Sequence, residues 1–129
     1  MRIKTLTLLS VVMTSLVAGP LPSKGSETIH SVAHVKPGRE AEYAKLSADA
    51  WAIYKRLGLV LKTPHIVLQG ADEKGLPYFV EVFTWKSSEI PDHAPAEVKA
   101  IWRKLEESCE PRDGRRGIDF SEVTAVALD

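Results

Sequence analysis

The sequence predicts an α+β domain whose strands and helices follow one another as β-α-β-β-α-β. Three patterns carry this reading: a period-two stretch beginning at Ile29, two stretches with apolar residues at helical spacing, and two β-branched and aromatic runs joined by a short polar turn.

From Ile29 to Val35, "IHSVAHV" places Ile29, Ser31, Ala33 and Val35 on one side and His30, Val32 and His34 on the other, the period of a strand. "KPG" ends it. Between Arg39 and Leu57, apolar side chains fall at Tyr43, Leu46, Ala50, Ile53, Tyr54 and Leu57, with Gly58 as a C-terminal stop. "LKTPHIVLQG" then reads as a strand in which Pro64 removes one ladder donor, which suits a sheet edge or a bulge. "ADEKG" is a turn, and "LPYFVEVFTW" completes a hairpin. "SSEIPDHAP" is irregular. Pro95 suits a first helical position, and Val98, Ile101, Trp102, Leu105 and Cys109 form the stripe of a second helix. A turn at "EPRDGRRG" leads to a last strand, "IDFSEVTAVAL". The order is the split, ferredoxin-like βαββαβ pattern: a four-stranded antiparallel sheet with two helices on one face, the first strand lying between the fourth and the third.

The chain of 129 residues, 44% hydrophobic and 26% charged, suits one domain. Its start, "MRIK" followed by "TLTLLSVVMTSLVAG" and then "PLPSKGS", has the basic segment and short apolar run of a secretory signal, too short for comfortable membrane spanning. Residues 1–25 are therefore expected to be a signal peptide. Residues 26–129 then form one periplasmic or secreted domain, with no membrane attachment after cleavage. Setting Arg2, Lys4 and Lys24 aside leaves a mildly acidic domain whose one basic cluster, "RRG" at 115–117, suits a solvated turn, so no nucleic-acid surface is expected. The single Cys109 excludes an internal disulfide, and the apolar stripe makes it a small buried hydrophobe. There is no Gly-rich phosphate loop, no Gly-x-Ser-x-Gly elbow and no Cys-x-x-Cys pair to support nucleotide, hydrolase or structural zinc chemistry.

The third strand carries Tyr78, Val80 and Val82 on one face and Phe79, Phe83 and Trp85 on the other. Two helices cover only one face, and a single chain would expose more apolar surface than monomers usually do. A second copy packing its sheet there would give an isologous homodimer.

With the element order, the "VKPG" between first strand and first helix, the "EVFTW" strand and the histidine after it, the chain resembles the dimeric α/β-barrel superfamily, in particular the antibiotic biosynthesis monooxygenase-like (ABM-like) domains. The resemblance covers roughly Ile29 to Val126, with Glu81 and Trp85 matching a Glu-x-x-x-Trp pattern and His93 a histidine ahead of the second helix. It implies a homodimer, a pocket between each sheet and its own helices, and cofactor-free oxidation of electron-rich phenols and quinols. Relatives also break down haem, isomerise, or have no known chemistry. Apparent export, and the "HAPAEVKAIWRKLEE" helix start with its proline and tryptophan, depart from the usual pattern.

Closing the hairpin with Gly70 near Leu76 sets His65 directly across from Glu81, with Cβ atoms about 5 Å apart, within reach of an imidazole-carboxylate hydrogen bond. On the first strand, His30 or His34 could sit across Glu81, with His34 nearer the middle of the pairing. A His-Glu-His row would serve as a general base on a phenol or enol, with His65 or His34 as base and Glu81 as orienter. It could also be a two-histidine, one-carboxylate metal site, or a polar pair that satisfies itself. His30 and His34 do not chelate one ion, because four residues of strand separate them by about 13 Å. His93 could orient a substrate oxygen at the pocket mouth or simply cap its connection. Trp85, Trp102, Trp51 and Tyr54 could line an aromatic pocket, Tyr54 as a donor, or could be core. The functional expectation is a binder of an aromatic or hydrophobic small molecule, an oxygenase-like or isomerase-like enzyme without an organic cofactor; its rivals are a non-catalytic module and a metal- or haem-dependent relative.

Overall fold

The computed structural model describes residues 25–129, so the signal expected over 1–25 lies outside the described residues save for Gly25. The elements are β1 (Glu27–Ala33), α1 (Glu40–Arg56), β2 (Val60–Ala71), β3 (Pro77–Trp85), a 3-10 turn (Pro91–His93), α2 (Ala96–Glu107) and β4 (Ile118–Glu122). They form the expected antiparallel sheet in the order β2-β3-β1-β4. This is a ferredoxin-like α+β fold.

Helix α1 buries Tyr43, Ser47, Ala50 and Tyr54. Glu40 and Glu42 in its first turn and Lys55 and Arg56 in its last favour the helix dipole. At its end Gly58 has φ +70°, a conformation open to glycine at little cost, and the Leu59 N–H turns back to the Tyr54 carbonyl at 2.9 Å. Helix α2 buries Val98, Ile101 and Leu105, and begins one residue later than expected, because Pro95 is extended at ψ 158°.

Two strand ends differ from the sequence reading. Strand β1 leaves the sheet at His34, whose N–H bonds the Gly117 carbonyl at 2.7 Å, while Val35 makes only an isolated bridge to Cys109. Strand β4 stops at Glu122. Because Ile29 faces Glu122, the first strand has almost run out of partners by then, and Val126 and Leu128 are left exposed.

Strand β2 is at the sheet edge, and its pairing to β3 skips from Val60 to His65 with Pro64 in the gap, so both of the roles foreseen for Pro64 are present. The hairpin closes two residues away from the expected register: Gly70 faces Tyr78 and His65 faces Phe83. The turn explains this. The Asp72 carboxylate accepts the N–H groups of Lys74 (2.8 Å) and Leu76 (2.9 Å), and the Asp72 N–H bonds the Leu76 carbonyl, so Leu76 belongs to the turn. The Leu76 N–H is also the main reason that the Asp72 carboxyl lies below its ordinary range.

The helix-side face of the sheet carries Ile29, Ala33, Phe79, Phe83 and Trp85, all buried. The other face carries Val32, Val80, Val82, Ile66 and Leu68, and in the single chain Ile66 and Leu68 are 47% and 58% exposed. At one end of the sheet, buried Arg112 bonds the carbonyls of Pro77 (2.8 Å) and Val35 (2.9 Å) and the carboxylate of Glu110 (2.8 Å), with Asp72 at 3.6 Å.

Candidate functional site

Helix α2 packs along α1 and keeps its backbone away from the strands. Between it and the sheet lies a cavity of about 420 Å³, of the size that takes a small organic ligand. Register fixes much of its floor. Trp85 faces Glu27, Phe83 faces Ile29, which faces Glu122, and Glu81 faces Ser31, which faces Phe120. Tyr43 and Tyr54 of α1 and Trp102 and Leu105 of α2 complete the walls.

Glu81 sets a half-buried carboxylate into this floor. Its Oε2 lies 2.8 Å from Nε2 of His65, and the imidazole N–H donates whenever Glu81 is ionised. The two-residue register shift preserves this contact, since moving by two keeps a side chain on its face and leaves the pair diagonal instead of directly opposed. His65 in turn stacks flat on Trp51, centroids 3.6 Å apart and planes 11° from parallel. Burial raises the Glu81 carboxyl above its ordinary value, and the hydrogen bond and charge of His65 partly offset this. Oε1 of Glu81 accepts no hydrogen bond from any described residue.

The geometry exchanges the positions expected for the two groups. Glu81 lines the cavity, whereas His65 stands behind it, covered by Trp51, and both rings lie outside the lining. A base facing a ligand would thus be the carboxylate, with the imidazole as positioning residue.

His34 is not in the site. Ser31 faces Glu81, so the even-numbered His30 projects from the opposite face, and His34 lies beyond the strand with its Nδ1 2.8 Å from the Arg116 carbonyl. No His-Glu-His row exists, and among the described residues no group of three or more His, Cys, Asp or Glu could hold a metal ion. His93, in the 3-10 turn, is exposed and does not line the cavity, although Pro91 of the same turn does.

Trp85, Tyr54 and Trp102 do line it, as one aromatic cluster. Tyr54 meets Trp85 at 4.9 Å and Phe83 at 5.6 Å between centroids, and Trp85 meets Trp102 edge-on at 6.2 Å. The Trp102 indole N–H donates to the Tyr54 hydroxyl at 2.7 Å, and burial raises the Tyr54 phenol well above its ordinary value. Tyr54→Phe removes the acceptor of the half-buried indole donor and should lower unfolding stability by about 1 kcal/mol, measurable by urea denaturation. Cys109 is buried, with its thiol pushed up to about 12 by desolvation, which keeps it protonated and poorly nucleophilic.

Sequence reading missed the stacking of Trp51 on His65, and it missed Glu27, Phe120 and Glu122 in the lining. Glu27 shares the parity of Ile29 and was legible in principle; the β4 residues depended on a register that the sequence does not specify.

Comparison with solved structures reaches the same architecture. SnoaB, a cofactor-independent oxygenase from Streptomyces nogalater, superposes in a mutant form with a TM-score of 0.59 at 15% identity, over 81% of this chain and 96% of its own. The chain shares the ferredoxin-like fold of this oxygenase. A crystallised antibiotic biosynthesis monooxygenase gives a TM-score of 0.56 at 15% identity, over 78% of this chain and 98% of its own. A protein from Caulobacter crescentus CB15, proposed to be such a monooxygenase, gives 0.57 at 16%, over 81% and 92%. No family model and no curated protein matches the chain. At these identities the ABM-like likeness is one of fold, and chemistry rests on the site.

Proposed function

We propose that this protein is an exported homodimeric ABM-like oxygenase that binds an aromatic phenol in the cavity between its sheet and α2, and oxidises it with dioxygen without an organic cofactor. The observation that carries the reading is Glu81: a carboxylate with raised proton affinity, held by His65, in the floor of a cavity that Tyr43, Tyr54, Phe83, Trp85 and Trp102 also line. Its Oε1 is free to take the proton of a phenol, which makes the ring electron-rich enough to react with dioxygen. A phenolic ring carbon gains one oxygen atom, the ring becomes a quinone, and the second oxygen atom leaves as water with the two hydrogens lost. The walls supply aromatic contact and exclude water. SnoaB, described as a cofactor-independent oxygenase, supports the reaction type by analogy of fold.

The test is oxygen uptake by metal-free protein on a panel of naphthols and hydroquinones. Uptake with quinone formation is expected; binding without uptake would make the protein a ligand carrier of the same fold.

The apolar face of Ile66, Leu68, Val80 and Val82, with Ile66 and Leu68 exposed in the single chain, supports the homodimer. Mass measurement in solution should give twice the mature chain, and Leu68→Glu with Ile66→Lys should give the single chain, since each directs a charge into the expected interface. A wild-type monomer would contradict this part of the reading.

A further inference from the structure

The charge of the cavity is one-sided. Its polar lining consists of Glu27, Glu81, Glu106 and Glu122 with serine and tyrosine hydroxyls, and no Lys, Arg or His side chain lines it. Several carboxylates elsewhere have a basic partner: Glu42 with Arg39, Asp49 with Lys45, Glu97 with Arg56, Asp119 with Arg115. Glu27, Glu106 and Glu122 have no such partner among the described residues. Burial first, then repulsion from Glu122 and Asp92, raises the Glu27 carboxyl, the response of an acid lacking a counter-charge.

An independent feature of the same cavity also asks for a ligand. Tyr54 is only 4% exposed; its hydroxyl oxygen accepts from Trp102, but its own proton has no acceptor among the described residues. A buried donor left in this way is costly unless a ligand oxygen meets it. The wall thus offers a base at Glu81, a phenol donor at Tyr54 beside Phe83 and Trp85, and carboxylates without a basic partner at Glu27 and Glu122. Sheet spacing puts Glu27 and Glu122 roughly 12–14 Å from Glu81, two strand rows away or two strands across. A phenol with a short amine arm spans this with one hydrogen bond at each end.

We infer that the ligand is a phenolic amine, bound as its cation: the hydroxyl toward Glu81 and Tyr54, the ring among Phe83, Trp85 and Trp102, and the ammonium toward Glu27 and Glu122. The aromatic walls favour this charge as well, since ring faces attract cations. This rests on the reading of the cavity as a phenol site and adds the charge of the ligand.

The experiment is calorimetric titration of the full protein with three probes alike in size and phenol: tyramine (cation), tyrosol (neutral) and hydroxyphenylacetate (anion). Tyramine should bind about tenfold more tightly than tyrosol at low ionic strength, with hydroxyphenylacetate weakest. Added salt should narrow the gap, because the rim carboxylates are partly solvated. Glu27→Gln with Glu122→Gln should remove most of the preference while tyrosol affinity stays unchanged. Equal binding of tyramine and tyrosol, or a preference that survives both substitutions, overturns the charge assignment but leaves the phenol site standing. Failure of all three probes to bind overturns both.

Discussion

Replacing Glu81 with glutamine should lower phenol turnover by about 10²–10⁴-fold, the usual contribution of a positioned general base. The amide keeps the size of the carboxyl and can still accept from His65, so ligand affinity should change little. Stability should move the other way. The Glu81 carboxyl is raised in the folded protein, chiefly by burial, so between its ordinary value and its raised one the native state holds more protons than the unfolded chain. Stability contributed by that proton is fully present at low pH and is lost as pH rises through the folded value. The amide cannot ionise and escapes the loss. The Glu81→Gln variant should therefore melt close to wild type near pH 4 and above it near pH 8, a gain in stability bought with activity. Thermal melts across that range, beside oxygen uptake at one pH, check both halves. A variant that melts lower at every pH would mean that the ionised carboxylate is held by more than His65.

Arg112→Met should have the larger structural effect, a loss of about 3–5 kcal/mol, because it removes one member of a buried charged network and leaves its partners unpaired. The guanidinium ties together the Val35 carbonyl after β1, the Pro77 carbonyl at the start of β3, and the carboxylates of Glu110 and Asp72. It is 8% exposed, and its Nε is the one buried side-chain atom left without a partner among the described residues. Methionine of similar length fills the space but donates to none of the carbonyls. Urea denaturation should show the loss as a lower midpoint at unchanged slope. A change below about 1 kcal/mol would show that water replaces the arginine at these carbonyls.

The fold was legible because each element announced itself locally. The alternation from Ile29, the stripe containing Tyr43, Ala50 and Tyr54, and the double-sided β3 run do not depend on distant contacts. The site was legible only where parity decides. His65 and Glu81 met despite a register error, because an error of two preserves the face. His34 failed for the complementary reason: its face depends on whether odd or even residues of β1 oppose Glu81, and Ser31 does. That choice comes from long-range pairing, as does the stacking of Trp51 on His65, which joins α1 to the edge strand. His93 matched a resemblance in position, but a 3-10 turn with Pro91 toward the cavity leaves the imidazole outside.

The central claim is that Glu81 faces a bound phenol inside the cavity. A crystal structure with a naphthol bound tests it most directly. The ring should lie between Phe83, Trp85 and Trp102, with its hydroxyl within hydrogen-bonding distance of Oε1 of Glu81 and with His65 still on Oε2. A naphthol seated on the opposite sheet face against Ile66 and Leu68, or one inside the cavity with its hydroxyl turned away from Glu81, would contradict the claim.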